Sequence, residues 1–208
     1  MTRILICTAT EIEASRLPAM ERSDPEDLEV LVTGIGPVNA AMHLTRRLGR
    51  SRPSRIISLG IGGAYPGAGL EVGEVVCAES ELYGDLGVDS PTGFLDMEAL
   101  GFPVVGHHFN RLPLDLFPSR RRVPFVTRST CTGSDAAARR LEARTGGAVE
   151  SMEGAAIVHV ALAHSVPIGE IRGISNIAGN RNRSTWRIQE AADAAAQALL
   201  EWLESDSC

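Results

Sequence analysis

Uninterrupted apolar runs, each closing in small or polar residues and each followed by a helical stretch, restrict this chain to an α/β architecture. Arg3-Ile4-Leu5-Ile6-Cys7, Leu28–Thr33, Ile56–Gly60, Glu74–Ala78, Val123–Arg128 and Ile168–Ile174 read as strands. Continuous rather than alternating apolarity marks strands covered on both faces, as in parallel sheets. Helices are expected up to Leu48 after the second strand, over Asp135–Arg144, over the small-residue stretch Gly154–Ala163, and over Gln189–Glu204. With no internal repeat and no linker, this alternation predicts one three-layer α/β/α domain spanning 1–208 around a mixed, mainly parallel sheet. A chain of 208 residues suffices for a single well-buried core. The segment from Tyr83 to Pro103 lacks periodicity and is rich in Gly, Pro and Asp. It predicts a long functional or interface loop with a short helix near Asp96–Leu100.

Ligands in such sheets lie beyond the carboxyl ends of the strands, which singles out the polar residues found there. Glu153 follows Ala148-Val149 and opens the helix Gly154–Ala163; a helix N-terminus stabilises a carboxylate and keeps it ionised. Ser175-Asn176 closes the strand Ile168–Ile174. Thr10 can cap a helix carrying Glu11 and Glu13 in its first turn, at the end of the first strand. After the third strand, Ile61-Gly62-Gly63-Ala64 leaves backbone amides open to close approach. A carboxylate and an amide on neighbouring strand ends make a site for a small, polyhydroxylated, hydrogen-bonding molecule. Gly34-Ile35-Gly36-Pro37-Val38-Asn39 lacks the third glycine of a dinucleotide fingerprint, and Pro37 sits where a helix begins. It reads as a tight strand-to-helix turn.

Composition removes several other functions. All twenty basic residues are arginine, which excludes a Schiff-base lysine and a Walker-type phosphate lysine. A net charge of −6 disfavours a nucleic-acid partner, which requires a basic face. The run Arg120-Arg121-Arg122 between Pro118 and Pro124 reads as a solvated loop. Cys7, Cys77, Cys131 and Cys208 are scattered, and His107, His108, His159 and His164 form no ligand cluster, so no metal is expected. Cys7 and Cys77 read as small core residues. No apolar run is long enough to span a bilayer and no signal-peptide pattern opens the chain, so the expectation is a cytoplasmic protein without a membrane partner.

Taken together and in order, Gly34-Ile35-Gly36 with Asn39-Ala40-Ala41, Gly62-Gly63 with Val72-Gly73-Glu74, Met152-Glu153-Gly154-Ala155-Ala156 and Arg172-Gly173-Ile174-Ser175-Asn176 resemble the nucleoside phosphorylase/nucleosidase superfamily. The likeness runs end to end. Within the superfamily it is closest to the futalosine hydrolases, through Ala78-Glu79-Ser80-Glu81-Leu82-Tyr83-Gly84-Asp85-Leu86-Gly87, Ser129-Thr130-Cys131-Thr132-Gly133 and Asn176. That family cleaves hypoxanthine from futalosine in a bacterial route to menaquinone. The resemblance implies that Glu153 binds the 2′ and 3′ hydroxyls of a ribose with Met152 packed against the sugar. It implies that Glu13 activates water, that Gly62 and the backbone of Thr130 and Cys131 hold the purine, and that Trp186 flanks the pocket. It also implies a homo-oligomer whose neighbour covers the pocket and calls for no cofactor; the long segment from Asp89 to Pro103 is the candidate for that contact. Futalosine carries a benzoate-bearing extension whose carboxylate an arginine could pair.

Asn176 stands where adenine-specific nucleosidases of this superfamily carry an aspartate. A 6-oxo group is an acceptor that a carboxylate would repel, whereas an amide offers it a donor. The residue therefore points to a 6-oxopurine, although an amide cannot itself give a proton to the leaving base. Acids at Glu11 and Glu13, with no arginine nearby in that loop, oppose a phosphate dianion and favour hydrolysis over phosphorolysis. A methylthioadenosine/adenosylhomocysteine nucleosidase, an inosine or guanosine phosphorylase and a non-catalytic nucleoside sensor stay open as alternatives.

Overall fold

A computed structural model of the chain describes residues 4–17, 28–114, 116 and 121–206; Arg3, Pro118, Arg120 and Cys208 lie outside them. Among the described residues, ten strands and six α-helices follow one another as β1 (Ile4–Thr8), α1 (Glu11–Ala14), β2 (Leu28–Val32), α2 (Pro37–Leu48), β3 (Arg55–Ala64), β4 (Val75–Tyr83), β5 (Gly87–Ser90), β6 (Gly93–Asp96), α3 (Met97–Leu100), β7 (Arg111–Pro113), β8 (Arg122–Thr127), α4 (Asp135–Thr145), β9 (Val149–Ser151), α5 (Gly154–Ala163), β10 (Ile168–Ile177) and α6 (Ile188–Asp206). Eight strands form the main sheet in the order β10-β4-β8-β9-β3-β1-β2, with β7 beside β4. Because β10 also pairs with β3, the strands from β3 round to β10 close on themselves. Most pairings are parallel, while β10–β4, β3–β9 and β4–β7 are antiparallel.

Helices cover the sheet on both sides, as the apolar runs predict. Ala40 and Leu44 of α2 and Ala156 and Ile157 of α5 pack with Leu5, Ile56 and Val76. On the opposite side, Ala195, Ala196 and Leu199 of α6 pack with Ile6, Ile57, Leu59 and Ile171. Cys7 and Cys77 are buried in strands, as expected of small apolar residues. Burial pushes the Cys7 thiol up to about 12, so it stays an inert neutral group.

The segment after Tyr83 is more ordered than its composition predicts. The short helix is there as α3, but before it stands an antiparallel hairpin, β5–β6, with Gly87 opposite Asp96 and Ser90 opposite Gly93. Four-residue strands are too short to print an alternation, and this hairpin leans on tertiary contact: the Arg144 guanidinium lies 3.9 Å over the Phe94 ring. The strand ends are corrected in the same direction. β3 and β10 run on to Ala64 and Ile177, so Gly62, Gly63 and Asn176 lie inside paired strands rather than beyond them.

The site is opened by a gap along one edge of β3. That edge pairs with β1 over Arg55–Ser58 and with β9 at Gly63 and Ala64. Between them β1 has turned away into α1, and the N–H of Ile61 meets a side chain instead of a strand.

Candidate active site

That side chain belongs to Glu13. Thr10 caps α1 with a reciprocal capping box, in which the Thr10 hydroxyl accepts from the Glu13 N–H and the Glu13 carboxylate reaches back to the Thr10 N–H. Oε2 of Glu13 accepts from the N–H groups of Ala9 and Thr10 at 3.1 and 2.9 Å and from the Thr10 hydroxyl at 2.9 Å. Oε1 accepts from the Ile61 N–H at 3.1 Å. Oε2 is thus saturated, while Oε1 keeps a lone-pair site free. The side chain is buried and lines a cavity of about 330 Å³.

Glu153 lies on the same cavity. It is the N-cap residue of α5, yet its side chain makes no capping bond. Its Oε1 accepts instead from the N–H of Gly36, at 2.8 Å. Gly36 caps α2 at a φ of 94°, a conformation that suits glycine, and Pro37 follows at the first helical position. The tight turn read in Gly34–Asn39 is therefore part of the site: it aims a backbone donor at Glu153. The helix terminus alone does not keep this carboxylate low. Burial raises its pKa, against the opposing pull of the Arg172 guanidinium and the Gly36 N–H.

Arg172, quoted in the sequence only as part of a motif, lies buried behind the cavity wall, beside Glu13. It is 2 % exposed, and its Nε and Nη2 each lie 2.8 Å from Glu170 Oε1, with Nη2 also donating to Ser58. A Cβ on Gly60 would overlap both Arg172 Nη1 and Glu13 Oε1, so glycine there lets the guanidinium approach the Glu13 carboxylate. Its charge is held up against burial by Glu170, Glu153 and Glu13. The expectation that no arginine stands near Glu13 holds for the loop but not for the fold.

Two further carboxylates lie beneath. Glu81 and Glu170 are 0 and 1 % exposed, and each keeps one oxygen without a partner, Oε1 of Glu81 and Oε2 of Glu170. A Cβ on Gly154 would overlap Glu81 Oε1 and lie 2.7 Å from Glu170 Oε2, so the two orphan oxygens converge on one point. Burial, followed by the neighbouring Glu170 charge, pushes the Glu81 carboxyl well above the ordinary range. Its other oxygen accepts from Thr127, whose hydroxyl in turn accepts from the Ala155 N–H of α5.

Glu13, Gly62, Thr130, Cys131, Met152, Glu153, Asn176 and Trp186 all line this cavity, whereas Glu11, the other acid of the first turn, is exposed and does not. Met152 touches Cys131 through sulfur, at 3.2 Å. A register shift in β10 between Ile174 and Asn176 sets Asn176 opposite Gly63. Asn176 Oδ1 accepts from Ser175 at 2.8 Å, and Nδ2 gives one proton to the Ile177 carbonyl and keeps another. Arg128 and Arg181 are the arginines on the wall, Arg181 with its guanidinium 5.2 Å over Trp186. Glu150 lines the wall too. Arg172 and Glu150 went unread because their roles depend on strand register, although a charged pair such as Glu170 and Arg172 inside an apolar run was a visible signal.

Among the described residues no group of three or more His, Cys, Asp or Glu could hold a metal ion, and no helix is long and apolar enough to cross a membrane. A family model described as the phosphorylase superfamily matches residues 27–204. The chain is 37 % identical over 188 residues to a futalosine hydrolase of Thermus thermophilus, covering 85 % of this chain and 81 % of the relative. The solved futalosine hydrolase of Helicobacter pylori superposes with a TM-score of 0.80 at 15 % identity, over 98 % of each chain. A methylthioadenosine/adenosylhomocysteine nucleosidase of Colwellia psychrerythraea, solved with adenine, gives 0.79 at 20 % identity, over 98 % of this chain and 95 % of that one.

Proposed function

The chain belongs to the phosphorylase superfamily and, within it, to the futalosine hydrolase family, and from that premise we propose that it hydrolyses the N-glycosidic bond of futalosine to release hypoxanthine. The observation that carries this reading is the meeting of Glu13, Glu153 and Asn176 on one cavity. Breaking the bond builds positive charge on the ribose and negative charge on the departing base. Ionised Glu153, held by the Gly36 N–H, stabilises the first and accepts from the ribose hydroxyls through its other oxygen. The free proton on Asn176 Nδ2 stabilises the second at the 6-oxo group. Glu13 takes a proton from the attacking water through Oε1, the oxygen with a lone pair to spare. Met152 packs against the sugar, Gly62 and the Thr130–Cys131 backbone hold the ring, and Trp186 closes the side.

Arg128 and Arg181 are the candidates for pairing the carboxylate of the benzoate extension, since both line the cavity. The active unit is a homo-oligomer in this reading, with the β5–β6 hairpin and the following residues at the contact. The exposed Val88, Leu95 and Phe102 on that segment support the assignment. The thiols of Cys7 and Cys131 support a reducing, cytoplasmic setting.

The test is the free base released from futalosine, inosine and methylthioadenosine by the purified protein. Hypoxanthine from futalosine is the expected product. Adenine from methylthioadenosine as the main product would overturn the reading of Asn176, and no release from any of the three would leave a binding protein.

A further inference from the structure

Three guanidiniums gather in a groove outside the nucleoside cavity. The groove, of about 580 Å³, runs between the β5–β6 hairpin and α4. Arg140 and Arg144 line it from α4, and Arg128 lines it from just beyond β8. Arg128 also lines the nucleoside cavity, so the two spaces share one side chain.

The chain has 26 acidic residues against 20 arginines, yet among the described residues none of these three forms an ion pair. Asp85 and Asp89 line the same groove without pairing with them. One Asp85 oxygen accepts instead from the Ser129 N–H, at 2.8 Å. The Nε of Arg128 is buried with no hydrogen-bond partner. Arg140 and Arg144 stand one helical turn apart, a like-charge spacing that works against the helix. The helix dipole accounts for Arg144 in the last turn of α4, but not for Arg128, which follows a strand. Burial and then the Arg128 charge lower the pKa of Arg144, against the pull of Tyr65, Asp85 and Asp89. An anion among the three would lift the repulsion and give the Arg128 Nε a partner.

The groove also says which anion. Arg144 donates to the Gly84 carbonyl and stacks 3.9 Å over Phe94, and a guanidinium with five donors has others to spare. Three positive charges against two negative ones suit a single negative charge better than a phosphate dianion. The planar fork of a guanidinium matches a carboxylate. Phe94 and Leu141 add an apolar side against which a flat ring can lie.

We propose that this groove is a second ligand site, for a small aromatic monocarboxylate, joined to the nucleoside cavity through Arg128. The carboxylate belongs either to a separate molecule or to the far end of a bound nucleoside, and the chemistry of the groove is the same for both.

The experiment titrates benzoate and the uncharged benzamide into the intact protein, with and without hypoxanthine, and follows backbone amide NMR shifts. Wild type is compared with Arg140→Gln and Arg140→Glu, at an exposed position where neither change threatens the fold. Benzoate should bind wild type about 10-fold more tightly than benzamide, and should shift the amides of Gly84 and Gly87. Arg140→Gln should weaken benzoate by about 2- to 5-fold, the scale of one exposed ion pair, and Arg140→Glu should abolish its binding. No binding, or equal binding of benzoate and benzamide, would overturn the proposal. Benzoate that hypoxanthine displaces and that ignores both variants would overturn it too, since it would then sit in the nucleoside cavity. KM separates the two sources. A rise in Arg140→Gln for futalosine but not for inosine assigns the carboxylate to the nucleoside, whereas an unchanged ratio of the two assigns it to a separate molecule. Benzoate binding needs no turnover, so failure of the reaction assigned above would leave the titration standing.

Discussion

Arg172 stands among two pairs of buried glutamates that differ in the hydrogen-bond donors supplied to them. Above it, Glu13 and Glu153 face the cavity and accept from the backbone amides of Ala9, Thr10, Ile61 and Gly36. Beneath it, Glu81 and Glu170 are sealed from solvent, and each leaves one oxygen unpaired. The upper pair is supplied with fixed donors and can meet a cationic sugar as anions. The lower pair has too few donors for two charges, and burial drives Glu81 toward its neutral form. In the proposed mechanism, position relative to backbone donors, not the side chain itself, separates the carboxylates that do chemistry from the one that holds a proton.

The largest effect should come from removing the base of the upper pair. Glu13→Gln should lower kcat by roughly 10²–10⁴-fold while nucleoside binding, measured by calorimetry, persists. A variant with unchanged turnover would make the upper pair as passive as the lower. Glu153→Gln should cost about 10²–10³-fold in kcat, the scale of losing one aimed electrostatic contact in a transition state. Because burial raises the Glu153 pKa and activity needs its anion, wild-type activity should fail on the acid side at a higher pH than an ordinary carboxylate would dictate. A pH–rate profile checks this.

The lower pair should register in stability. Gly154→Ala drives a methyl into the space where the Glu81 and Glu170 oxygens converge, and chemical denaturation should show a loss of about 1–3 kcal/mol. The smallest effect concerns pH. A carboxyl whose folded-state pKa is raised stabilises the fold fully below its unfolded value, near 4.5, and loses that contribution as pH rises through the folded value. Glu81→Gln has no proton to lose there. Its melting temperature should therefore gain on that of the wild type as pH rises from about 5 upward. Parallel curves would show that Glu81 is not the proton holder.

The upper pair was legible in the sequence and the lower pair was not, for a local reason. Glu13 sits in a capping box that four consecutive residues, Thr10 to Glu13, spell out, and Glu153 opens a helix whose bounds, Gly154–Ala163, agree with its run of small residues. Glu81, Glu170 and Arg172 acquire their roles only when β4 and β10 pair and Gly154 brings α5 against them. Glu150 is of the same kind, since its place opposite Gly63 is set only when β9 pairs with β3. The hairpin β5–β6 escaped because its strands are short and are held by Arg144 from a distant helix.

One measurement tests the account most directly: the rate of hypoxanthine release from futalosine with phosphate absent and with phosphate in excess. Water activated by Glu13 as the nucleophile predicts the same rate in both, with the free sugar as the other product. Release that requires phosphate, with a sugar phosphate formed, would contradict the role given to Glu13 and turn the cavity into that of a phosphorylase.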